Sequence, residues 1–293
     1  MIRSHLRAAM LAAVVALLAL PAWAAAAGED FDPSLEFAVE PYWFELTLGP
    51  FDLSINKAVI YLLLTTVILC VGGIWVVRGG LRMRPTKAQN LVEMAYEFAD
   101  SQIGRATLPA RAMPTWFPYL ATLFLFIAVN NIISFIPLPM SHEADTFPGG
   151  LPDLGLYAAT ANINVTLTLA ALTFLATHVV GVRAHGPGGY LKTLVPDAPG
   201  AVKPFIVTIE VLSQILRLVS LSVRLFANLL AGHLLIIMAA GFVILVGSVV
   251  GAVAIPFAVF FWVFEWVLVA GLQAFIFALL SGVYIGYAMD APH

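Results

Sequence analysis

Apolar residues run in long blocks along this chain. A helix needs roughly 20 consecutive apolar residues to cross the hydrocarbon core of a bilayer. Five stretches qualify: about 58–77, 116–137, 160–182, 203–245 and 252–288. The last two, joined near "VGSVVG", are longer than a perpendicular crossing needs. At 1.5 Å per residue either reaches about 50 Å or more. They must tilt steeply, bend, or lie partly along the membrane. Between the first two blocks, "TKAQNLVEMAYEFADSQIG" has a different rhythm. Leu91, Met94, Ala95 and Phe98 recur at helical spacing, with Glu93, Glu97 and Asp100 between them. That is the pattern of an amphipathic helix at the interface or in the cytoplasm.

Composition agrees. The 293 residues are 61% hydrophobic and only 11% charged, with mean hydropathy +0.96. A soluble domain would be about a quarter charged. The expected fold class is all-α: a polytopic membrane protein with about five transmembrane helices plus an amphipathic helix. The last two helices are expected to be long, and strongly tilted or membrane-parallel. The formal charge of −3 implies no nucleic-acid partner. Cys70 is the sole cysteine and lies in an apolar run, so it forms no internal disulfide.

The N-terminus stands apart from the fold. Arg3 and Arg7 precede an apolar stretch that ends in Ala22-Trp23-Ala24, an A-x-A cleavage pattern. Residues 1–24 therefore read as a signal peptide and 25–57 as an acidic extracytoplasmic segment. Residues 58–293 read as a single helical membrane domain. Lysine and arginine mark cytoplasmic loops. Arg78, Arg82, Arg84 and Lys87 follow the first span, and Arg183, Lys192 and Lys203 follow the third. The 138–157 loop has neither residue type. The N-terminus of the mature chain is thus expected outside and the C-terminus in the cytoplasm.

"RLVSLSVRLFANLLAGHLLI", residues 217–236, contains the least membrane-like residue of the fourth span, Arg224. An arginine at the centre of a bilayer helix costs about 2.5–3.5 kcal/mol on insertion scales. At 100° per residue, Glu210, Ser213, Arg217, Ser220, Arg224 and Asn228 fall within an arc of about 80°. Serines alone would suit a close-packed helix seam. Two arginines and a glutamate do not, because ionisable groups at membrane depth face water or a partner. The last span repeats the theme. Gln273 and Tyr284 point the same way to within about 20°, while Glu265 lies about 80° off that face. His233, nine residues after Arg224, falls on the opposite side of its helix. Carboxylates, imidazole, amides and hydroxyls beside one fixed positive charge are the materials of a proton relay.

"RLFANLLAGH" with "LQAFIF" downstream resembles subunit a of the F-type ATP synthases. "NNIISFIP" and "TANINVTLTLAALTF" are similar to that family's second-span ending and third span. The likeness covers about residues 85–289. It implies that Arg224 is the essential arginine facing the carboxylate of each passing c subunit, with Asn228 and Gln273 as neighbours that position it. It implies that His233 lies in one aqueous half-channel, and that Glu210 and Ser213 line the opposite path. The implied work is proton translocation through two offset half-channels that couples the proton gradient to ATP synthesis. The implied partners are the c-ring, the peripheral-stalk subunit b and the rest of the synthase; the cleavable signal points to a bacterial inner membrane, with a thylakoid as the alternative. No cofactor or metal is implied, and this subunit itself is not a catalyst.

Two positions depart from the family pattern. The last-helix ionisable residue stands seven before the glutamine, which here is Trp266; Glu265 is eight before. Either a local bulge restores its direction or Glu265 serves the path from a shifted site. Asn162 stands where many relatives have an aspartate. The alternative class is an independent ion channel or secondary transporter, which often shows repeated halves; no internal repeat is visible here. "GPGGYLKT" lacks the order of a P-loop, so the chain does not hydrolyse nucleotide.

Overall fold

The structure is a computed structural model that describes residues 47–48, 51–52, 55–80, 82–135, 157–193, 202–246 and 248–289. The signal peptide, most of the acidic segment and nearly all of the 138–157 loop lie outside the described residues.

Helix α1 spans Lys57–Arg78. Asn56 opens it, its Oδ1 accepting the Val59 N–H at 3.0 Å, so one orphan donor of the first turn is satisfied. It ends at Gly79 and Gly80, the latter at φ 75°, where a left-handed residue costs glycine nothing. The amphipathic helix α2 covers Lys87–Phe98, with Thr86 as N-cap. It passes into a π-helical turn at Ala99–Gly104, where Arg105 and Asp100 pair at 2.7 Å. Helix α3 is Met113–Ser134 and α4 is Ile163–Thr193. Helix α5 runs unbroken over Lys203–Val246, and α6 over Ser248–Phe264. A second π turn, Glu265–Val269, leads directly into α7, Ala270–Met289. Apart from helices, the described residues hold one antiparallel pair, β1 (Thr47–Leu48) with β2 (Phe51–Asp52).

Among the described residues five helices are long and apolar enough to cross a membrane, and the last two candidate spans, Lys203–Ile236 and Pro256–Met289, have 34 residues each. Helix α4 continues beyond the expected end of its span near residue 182. It breaks only at Gly186 (φ 73°, ψ 163°), and Pro187 restarts the helix. Proline's fixed φ and missing donor suit a first helical position.

Contacts divide the chain into two compact units. One comprises Met1–Leu62, Asn131–Ala159 and Leu229–Gly271; among its described residues Tyr61, Phe135, Leu229 and Ala270 are buried. The other comprises Leu63–Asn130, Thr160–Asn228 and Leu272–His293. Its core gathers Ala99, Ile103, Leu120, Val180, Ala278 and Ile285. Glycine permits the close approach there: a methyl on Gly286 would strike the Thr107 carbonyl.

Candidate functional site

The polar face of α5 divides by exposure. Glu210, Ser213 and Arg217, toward its start, are half-buried, whereas Ser220, Arg224 and Asn228 are exposed. Gln214 Nε2 donates to Glu210 Oε1 at 3.0 Å. The Arg217 guanidinium lies 5.7 Å from the centre of the Tyr284 ring. Arg217, Gln214 and Tyr284, with Thr173 and Thr177 of α4, line a small open cleft. Buried hydroxyls continue from it. Thr173 Oγ1 is 3.1 Å from the Tyr119 hydroxyl and 3.2 Å from Ser281 Oγ.

Arg224 is different. Its one hydrogen bond among the described residues goes to Ser220 Oγ, at a long 3.5 Å. No carboxylate among those residues lies within ion-pair distance of it. Around it the helix surface is apolar and open: Leu216 is 56% exposed, and Val219 and Val223 are 42% exposed. Gln273 is buried and makes no hydrogen bond to Arg224 or Asn228 among the described residues. The arrangement presents a guanidinium and an amide outward from an apolar surface.

His233 and Glu265 are enclosed, each 3% exposed. His233 Nδ1 is 3.1 Å from the Leu229 carbonyl and Nε2 is 3.5 Å from that of Ser134, with the ring tilted against that of Phe135 at 4.5 Å between centres. A neutral imidazole has one N–H donor for these two acceptors, and the shorter contact fits Nδ1–H. The Glu265 carboxyl fills the space over Gly232, where even a methyl group would collide with it. Its Oε1 is buried without a hydrogen-bond partner among the described residues. His233 and Glu265 share no hydrogen bond among the described residues; Glu265 packs on Gly232, the residue before His233 in the chain.

The π turn decides the direction of Glu265. In an uninterrupted α-helix its eight-residue separation from Gln273 would leave the two about 80° apart. A π turn absorbs one residue. The eight positions then turn the helix as seven would, and Glu265 comes within about 20° of the Gln273 direction. Of the two alternatives, a bulge or a shifted site, the π turn at Glu265–Val269 is a bulge.

Several site residues have no sequence signal of their own. Thr173, Ser281, Tyr119 and Gln214 read as ordinary span composition. Asn131 Nδ2 donates to the Ala270 carbonyl at 3.1 Å, and Ser134 Oγ to the Asn131 carbonyl at 2.7 Å. The polarity of "NNIIS" within an apolar run was their one trace. Asn162 has a local structural role, its Oδ1 accepting the Asn164 N–H at 2.9 Å. No cluster of His, Cys, Asp or Glu suited to a metal occurs among the described residues.

Comparison with known proteins gives one answer. Residues 59–286 match the ATP synthase A chain family. The chain is 34% identical over 268 residues to ATP synthase subunit a 1 of Brucella anthropi, covering 89% of this chain and 99% of the relative. The same identity and coverage hold for ATP synthase subunit a of Brucella ovis and of Brucella canis.

Proposed function

Because the chain belongs to the ATP synthase A chain family, and so serves as a multi-pass membrane subunit of the synthase's Fo sector, we propose that it carries protons to and from a rotating ring of c subunits through two offset half-channels. Arg224 is the fixed charge of the mechanism, and Asn228 and Gln273 are its polar neighbours. Glu210 and Ser213 serve one access path; His233 and Glu265 serve the other. The c-ring and subunit b are its direct partners, and the chemistry of ATP belongs to other subunits. Cleavage of the signal peptide leaves the N-terminus outside a bacterial inner membrane, with the C-terminus in the cytoplasm.

The exposed Arg224 on an apolar surface carries this reading. Such a group would be costly against lipid, so the surface suits a partner that brings a carboxylate to it. A guanidinium keeps its proton under all working conditions. Facing a rotor carboxylate, it holds that group ionised at the interface and blocks a proton short circuit between the two paths. The pairing must also release. Moving one charge through 100 mV supplies only about 2.3 kcal/mol, and water in the access paths weakens the attraction accordingly. The buried, unpartnered oxygen of Glu265 supports the second path, since an isolated buried carboxylate is costly unless water or a proton reaches it.

The test is Arg224→Ala in the whole synthase, reconstituted in vesicles. The complex should assemble, because removing a charge from a bilayer helix relieves an insertion cost. Proton-driven ATP synthesis should vanish, and passive proton leak should rise. Near-normal coupled synthesis would overturn the proposal. Copurification of a c-ring in mild detergent separates it from an independent transporter.

A further inference from the structure

A π turn is a less favourable arrangement than the α-helix it interrupts, so something must hold it. At Glu265–Val269 the holding groups are visible. The Ala270 N–H closes the turn onto the Glu265 carbonyl. Asn131, fully buried, donates to the Ala270 carbonyl at 3.1 Å, and Ser134 Oγ fixes the Asn131 backbone at 2.7 Å. On the other side lies Gly232, with room for a carboxyl group but not for that group and a methyl together. Were the turn α-helical and α7 unmoved, the residue directed at Gly232 would be Trp266, seven before Gln273. An indole does not fit a notch that the smaller carboxyl already fills. Trp266 instead stacks on Trp262, at 5.5 Å between ring centres.

We infer that the π turn is a register device: it directs Glu265 rather than Trp266 over Gly232, and Asn131 is the positioning residue that clasps the turn. The role of this device in proton transfer rests on the reading of Glu265 as a group of the access path. The register itself does not.

Two measurements separate these. The first reads register alone, in full-length protein in membranes carrying Cys70→Ala. The Glu265 carboxyl carbon, two bonds beyond Cβ, lies where a residue-232 Cβ would stand, so Gly232→Cys with Glu265→Cys is within disulfide range. Mild oxidation should join that pair, as read by peptide mass spectrometry. Gly232→Cys with Trp266→Cys and Glu265→Ala should not be joined. Equal or preferred joining of the second pair would overturn the register, whatever the proton flux.

The second reads function by flux in the reconstituted synthase. Removing Val267 converts the turn to α-helix and leaves Glu265 seven before Gln273, so flux should stay within about threefold of the wild type. An alanine inserted after Val269 swings Glu265 away and should cost about tenfold or more, as misplaced groups do. Asn131→Leu should cost about tenfold in the full-length helix but under about threefold in the Val267 deletion, where no π turn remains to be held. Equal losses in both backgrounds would make Asn131 merely structural and remove the clasp. If Glu265→Gln keeps wild-type flux while the disulfide pattern holds, the register stands and the proton-path role of Glu265 falls.

Discussion

Arg224 and His233 stand nine residues apart on α5, yet their surroundings are opposite in kind. Arg224 is exposed, has one long hydrogen bond, and is flanked by open valines and leucines. His233 is 3% exposed, sits between two carbonyl oxygens, and packs on Phe135 beside the Gly232 notch that Glu265 fills. The first region faces outward, and the second is enclosed by its own chain. A group that never gives up its proton needs no enclosure to protect its charge, only a partner surface to meet. Groups that exchange protons need fixed neighbours and controlled access to water, because their charge changes during the work. The exposed region should therefore fail by loss of coupling with the fold intact. The enclosed region should fail through geometry as well as chemistry.

The largest expected effect breaks the comparison at its exposed end. Arg224→Lys keeps the charge but replaces a delocalised fork with a compact ammonium that loses its proton more easily when desolvated. Coupled synthesis in vesicles should fall to background, with assembly unchanged. Retention of more than about a tenth of wild-type synthesis would mean that charge alone suffices there.

The carboxylates come next. Glu→Gln preserves volume but carries no proton. Glu210→Gln should lower proton flux by more than about tenfold, because the amide of Gln214, which donates to its carboxylate, cannot take over its proton. Glu265→Gln should cost about tenfold and no more, since His233, read as a group of the same access path, remains able to exchange a proton. Assembly measured by copurification should be unchanged in both. Wild-type flux in either variant would return that residue to a structural role, and a reversed order would argue that His233 depends on Glu265.

Much of this is legible in the sequence. Spans of apolar residues are dictated by bilayer thickness, so α1, α3 and α5 begin and end within a few residues of their expected limits. The amphipathic α2 followed from the spacing of Leu91, Met94 and Phe98. Helix α4 runs past its expected end: "VRAHGPGGYLKT" has the charge and glycine content of a loop, yet a single glycine absorbs the whole break. The polar face of α5 was legible because a charge inside an apolar helix is conspicuous. What that face touches was not. The exposure boundary between Arg217 and Arg224 depends on which helices pack against α5, and periodicity contains no such information. Thr173, Ser281 and Tyr119 were invisible for a related reason: hydroxyls are common in spans, and only packing reveals that three of them meet. The π turn left a single trace, the extra residue between Glu265 and Gln273, and Gly232 acquired meaning only once the direction of Glu265 was known.

The smallest expected effect sharpens the comparison within one helix. Arg217 and Arg224 lie on the same face of α5, two turns apart, and composition does not distinguish them. The structure does: Arg217 is half-buried, its guanidinium set against the Tyr284 ring at 5.7 Å in a cleft that also holds Gln214 and Thr173. It already has its partner, so it has little to offer a passing carboxylate. A cation over an aromatic face contributes about 0.5–1 kcal/mol when exposed and more when desolvated. Arg217→Gln should lower the thermal stability of the detergent-solubilised complex by an amount of that order, while coupled synthesis stays within about twofold of the wild type. Tyr284→Leu should lower stability similarly, and the double variant should lose less than the sum, because both substitutions remove the same contact. Additive losses would show that the ring and the guanidinium are neighbours without being partners. Loss of synthesis as deep as that of Arg224→Ala would show that the exposure boundary along α5 does not separate the two arginines in function.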